Sequence, residues 1–133
     1  MFSFFTTNEA NAALPDMIKK FEYALAKNTE VKKIEQELQV SISTANSFES
    51  YVNLKQKLNS AITKFYESVE VLENTGVIVK SIEQGLLDFP SKRFDEEVCL
   101  CWKYGETEIK FWHEKDSGFM GRKPIEVNDE SLV

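Results

Sequence analysis

The stretch Tyr51–Gly76, "YVNLKQKLNSAITKFYESVEVLENTG", divides the chain into two kinds of structure. Tyr51, Lys55, Leu58, Ile62, Phe65, Val69 and Leu72 step by 4, 3, 4, 3, 4 and 3 residues, which puts them on one helical face in heptad spacing. Gly76 stands where a glycine can take the left-handed conformation that ends a helix. At 1.5 Å per residue such an arm is about 45 Å long. Upstream of it no glycine occurs.

The residues before Tyr51 predict a first helix. In "FTTNE", Thr6 and Glu9 have capping-box spacing, with Phe5 placed as a staple. Leu14, Ile18, Phe21 and Leu25 follow on one face, and the stripe resumes at Val31, Ile34 and Leu38. Pro15 should kink this helix or split a short helix from a long one, because its ring clashes with the preceding turn. "VSISTANS" (residues 40–47) predicts a break, since hydroxyl and β-branched residues compete with the helical backbone. Asn46 with Glu49 offers a second capping signal.

After Gly76 the pattern changes. "VIVKSI", "LLDFP", "VCLCWK" and "TEIKFWH" read as strands, separated by "EQG", "SKRFDEE" and "YGE". "EKDSGFMGRKPI" reads as an irregular loop. The expectation is an α+β protein: a long antiparallel helical hairpin, its first helix kinked near Pro15, then a small four-stranded antiparallel β-meander. Residues 1–125 form one domain on this reading, with 1–76 the hairpin and 77–125 the meander and C-terminal loop. Residues 126–133, "EVNDESLV", form a flexible acidic tail.

Composition narrows the function classes. The 133 residues carry a net charge of -6, without a basic stripe, so nucleic acid is not an expected partner. No apolar run approaches the roughly 18 residues of a membrane helix, and no secretory signal is recognisable. Cys99 and Cys101, two apart on one strand, make a poor disulfide; reduced thiols and a cytoplasmic location are expected.

A two-residue turn at Tyr104–Gly105 would pair Lys103 with Glu106, Leu100 with Ile109 and Val98 with Phe111. One face would then collect Val98, Leu100, Trp102, Ile109 and Phe111, with His113 on the same side. Cys99 and Cys101 would lie opposite, among Lys103, Glu106, Glu108, Lys110 and Trp112. That register disfavours a zinc site built from both cysteines and His113, and three ligands fall short of the four of structural zinc. No metal at the cysteines is expected, and no cofactor is indicated.

The polar residues that invite a chemical role are Asp88, Glu106, His113, Glu114, Asp116 and Arg122. Asp88 interrupts the apolar "LLDFP", where a carboxylate must be solvated or paired. His113 at a strand end could act as a base or ligand, and an Asp/Glu/His set could hold a divalent metal. Arg122, after Gly118 and Gly121, can turn inward and pair with a carboxylate. Asp88, Glu106 and His113 are the catalytic candidates; Arg122 and Trp102 are the candidates for contacting a ligand. The same residues serve equally as a structural ion-pair cluster. Lys103, Tyr104, Lys110, Trp112 and Lys115 alternate as in single-strand binders, but Glu106, Glu108 and Glu114 cancel their field. No G-x-S-x-G, phosphate loop or H-E-x-x-H is present.

"FTTNEANAALP", "GLLDFP" and "LCWKYGETEIKFWHEKDSGFMGRKPI" resemble a family of small prokaryotic proteins, domain of unknown function family 2203. The resemblance covers nearly the whole chain. It carries over to Glu9, Asn11, Pro15, Gly85, Asp88, Pro90, Cys101, Trp102, Gly105, Glu106, Trp112, His113, Gly118, Gly121 and Arg122, and implies no activity. The residues favour a non-enzymatic binding or assembly module, a homo-oligomer through its helices. The alternative is a small ligand- or metal-dependent enzyme at Asp88, Glu106, His113 and Arg122, which requires these side chains to converge around an open pocket.

Overall fold

The computed structural model describes residues 4–44 and 47–126. Two helices, α1 (Thr7–Ser43) and α2 (Phe48–Glu73), are followed by strands β1 (Ile78–Ser81), β2 (Leu86–Arg93), β3 (Glu96–Lys103), β4 (Phe111–Glu114) and β5 (Lys123–Pro124). The strands form one antiparallel sheet in the order β1-β2-β3-β4-β5. The α+β class and the helical hairpin are as expected. The fifth strand is new: two residues of the C-terminal loop pair with β4.

The capping box at the start of α1 is complete. Thr6 Oγ1 accepts from the Glu9 amide and Glu9 Oε1 accepts from the Thr6 amide, each at 3.0 Å. The Thr6 amide, and after it the Thr6 hydroxyl, bond to the Glu9 carboxyl and hold it below its ordinary pKa. Pro15 does not divide the helix, which runs unbroken for 37 residues. The break also comes later than Val40. Ser43 and Thr44 return their hydroxyls to the carbonyls of Gln39 and Val40, and the helix ends there. Asn46 lies outside the described residues; Ser47 is the α2 cap, accepting from the Ser50 amide at 3.1 Å. The tail from residue 127 onward also lies outside them.

Two apolar clusters build the molecule. The first joins Ala10, Leu14, Met17, Phe21 and Ala24 of α1 and Leu72 of α2 to Leu87, Phe89, Leu100, Trp102 and Trp112 of the sheet. The second, Val31, Ile34 and Leu38 against Leu58 and Ala61, is helix on helix alone. The hairpin therefore extends past the sheet. Most of the α2 stripe is used within the chain: Leu58 and Leu72 are buried, and Ile62, Phe65 and Val69 are half-buried.

The β3–β4 connection departs from the expected register. Gly105 (φ +104) does support a turn, closed by the Glu106 amide on the Lys103 carbonyl at 3.0 Å. The chain then leaves the sheet. The Trp102 indole donates to the Glu106 carbonyl at 2.9 Å, and the Ile109 amide donates to Asn11 Oδ1 on α1 at 2.6 Å. These bonds and the burial of Ile109 draw residues 104–110 onto the helices, so β4 starts only at Phe111. The partners are Leu100 with Trp112, Cys101 with Phe111 and Cys99 with His113. Leu100 thus meets a residue three further along than Ile109, and an odd slip exchanges the faces of β4.

Gly85 has a closer constraint. Its φ is +71, and a Cβ there would stand 2.6 Å from the Tyr104 Cβ. Its carbonyl accepts the Tyr104 amide at 2.8 Å, so the strands cannot part to make room. Gly85→Ala should lower stability by about 1–3 kcal/mol, measured by urea denaturation. A smaller loss would mean that the Tyr104 turn yields.

Candidate functional site

In the observed register Asp88 pairs with Cys101 and Cys99 with His113, so all four side chains share the sheet face turned away from the helices. The separation of His113 from the cysteines is therefore corrected. Asp88, Cys101 and His113 are each 1% exposed. Their carboxylate oxygen, sulfur and ring nitrogen all lie within 4.8 Å of one another.

The imidazole is oriented from behind. Nδ1 lies 2.7 Å from the Glu114 carbonyl, which can only accept, so Nδ1 carries a hydrogen. Nε2 faces Asp88 Oδ1 at 3.0 Å. One proton occupies that contact, in an imidazolium–carboxylate pair or between a carboxylic acid and a neutral ring. Among the described residues, Asp88 Oδ2 is buried and has no hydrogen-bond partner. Lys80 Nζ stands 4.0 Å from it on a half-exposed side chain, at the salt-bridge limit and beyond hydrogen-bond reach.

Arg122 and Glu106 form a second pair beside the first. Arg122 Nη2 lies 3.1 Å from Glu106 Oε2, and Nη1 lies 3.3 Å from Oε1. Glu106 Oε1 also accepts the Lys103 amide at 2.7 Å. The guanidinium is held between two rings, 3.9 Å from the Phe111 centroid and 4.4 Å from that of Phe119. Arg122 thus pairs with Glu106, while Asp88 pairs with His113. Burial, reinforced by the Asp88 charge, pushes the Cys101 thiol up to about 11, although a hydrogen bond from Arg122 opposes the shift. Burial and Asp88 raise Cys99 to about 11 as well. Both thiols are protonated near neutral pH and neither is an activated nucleophile.

The structure thus brings together Asp88, His113, Glu106 and Arg122 as two adjacent pairs, with Cys101 between them. Trp102 lies on the opposite face, fully buried, with Phe21 edge-on at 5.3 Å. The side chains of Glu114 and Asp116 are exposed, and Glu114 pairs with Lys123. A cleft of about 280 Å³ opens next to the buried pair, lined in part by Phe4, Ile78, Lys80, Cys99 and Lys115. Sequence reasoning weighed Cys101 but set it apart from His113, and it missed Lys80. The signal for Cys101 lay in "IKFWH", which offers two core frames: Ile109 with Phe111, or Trp112 alone. The structure buries Trp112 and places His113 beside the cysteines.

The family described as "Uncharacterized conserved protein (DUF2203)" matches residues 3–125, so the chain belongs to that family. No curated protein and no solved structure matches it.

Proposed function

We propose that this member of the DUF2203 family is a non-enzymatic assembly module that self-associates through the far end of its helical hairpin. The supporting observation is that the hairpin outruns the sheet. Beyond Leu25 on α1 and before Phe65 on α2, the buried side chains pack helix on helix alone. At the tip Phe48 is 79% exposed, with Val40 and Ile42 also largely exposed. The occupant is a second copy, which completes a four-helix layer over this end. Residues 28–44 carry three glutamates and two lysines, and residues 48–62 carry one glutamate and two lysines. The arms therefore have small net charges of opposite sign, which favours α1 of one copy against α2 of the other.

A catalytic role would need a substrate to reach Asp88 and His113, and both are sealed. No described helix is long and apolar enough to cross a membrane. The two buried free cysteines support a reducing, cytoplasmic setting.

Light scattering coupled to size exclusion should give a multiple of the 15.3 kDa chain mass. Val40→Glu with Phe48→Glu should return the chain mass with the circular dichroism spectrum unchanged. A strict monomer for the unaltered chain would overturn the proposal.

A further inference from the structure

We propose that Asp88, Cys101 and His113 supply three ligands of a zinc site on the outer face of the sheet, the fourth position falling to water from the adjacent cleft, as in open rather than closed zinc centres. A hydrogen-bonded ion pair alone does not account for the arrangement, because among the described residues the buried Asp88 Oδ2 has no hydrogen-bond partner, with Lys80 Nζ no nearer than 4.0 Å, while Oδ1 serves the imidazole. An orphaned carboxylate oxygen is costly unless something else binds it. The donors are a carboxylate, an imidazole nitrogen and a sulfur, the mixed hard and soft set that suits zinc.

His113 is prepared as a ligand. Its Nδ1–H is held by the Glu114 carbonyl, as in metal sites where a backbone oxygen fixes the tautomer and leaves Nε2 to bind. The three donor atoms lie within 4.8 Å of one another. Zinc bonds of about 2.0–2.3 Å place tetrahedral ligands about 3.3–3.8 Å apart, so side-chain rotations suffice.

The charges also close. Zinc binding displaces the proton held between Asp88 and His113 and the proton of the Cys101 thiol, and both pass to solvent. The product is a dication with one carboxylate, one thiolate and one neutral imidazole. Arg122 remains beside the thiolate, itself compensated by Glu106. Cys99 faces His113 across the sheet and lines the adjacent cleft, so it serves as the internal control rather than a member of the set.

The test uses the full chain, stripped of metal and titrated with cobalt(II), then with zinc. One cobalt per chain should give a thiolate-to-cobalt charge-transfer band, bleached by one equivalent of zinc, with two protons released per zinc. Cys101→Ser should abolish the band and weaken zinc more than about 100-fold, since losing even an outer-sphere partner costs about 10–100-fold. Cys99→Ser should keep both. Absence of the band at saturating cobalt in the unaltered chain overturns the site, as does its persistence in Cys101→Ser. If Cys101→Ser does not fold, the spectrum of the unaltered chain decides the question by itself.

Discussion

His113→Ala, in metal-free buffer, lowers the stability of the chain by about 3–5 kcal/mol. The loss arises at Asp88 rather than at the histidine. Among the described residues Asp88 Oδ2 already lacks a hydrogen-bond partner, and the substitution removes the one that Oδ1 has in a side chain 2% exposed. Lys80 is too far to replace it. Asp88→Asn should cost less, because an amide carries no charge to strand. Replacing both residues with leucine should recover most of the loss, as apolar pairs do when they replace buried ion pairs. Urea denaturation of His113→Ala, Asp88→Asn and the two combined provides the cycle, with the double leucine variant measured beside it. If His113→Ala costs under about 1 kcal/mol, the pair is not the buried contact described above.

Trp102→Ala should cost a similar amount, about 3–5 kcal/mol, for a different reason. Among the described residues the indole is the largest fully buried side chain, and it packs edge-on against Phe21, so its removal opens the junction of α1 with the sheet. Trp102→Phe separates packing from hydrogen bonding. It fills much of the space but leaves the Glu106 carbonyl without its donor, a loss of about 1–3 kcal/mol. That variant should also expose the Ile109 amide to faster hydrogen exchange, because the loop carrying it is tied down on both sides. Unchanged exchange at Ile109 would show that Asn11 alone fixes the loop.

Helices were readable because their signals are local. Thr6 and Glu9 form the capping box that their spacing predicts, and Gly76 adopts φ +101 just past α2. The sheet's existence was readable for the same reason. Its β3–β4 register was not, because a bond between Ile109 and Asn11, 98 residues apart, sets it. Nothing near Gly105 announces that the strand will be drawn away toward α1. The error then passed to the site, since the face on which His113 stands depends on the parity of that one connection. Asp88, Glu106, His113 and Arg122 stand out by residue type, local setting and family resemblance, and they do lie together. Their partners were beyond reach: Asp88 takes His113, and Arg122 takes Glu106, because Arg122 is held over Phe111 on the far side of Cys101.

The long ties between the ends of the domain bear on its folding order. Ser91 bonds back to the Phe5 carbonyl across 86 residues, and Ile109 to Asn11 across 98. Closing loops of that length carries an entropic cost that short-range helix contacts do not. The hairpin can zip up during synthesis, whereas the first turns of α1 must wait for β2 and the loop before β4. Until then the apolar residues between Ala10 and Phe21 have only Leu72 and its neighbours on α2 against them and lack the sheet. That segment is where an incompletely made chain is most exposed to chaperones and to aggregation.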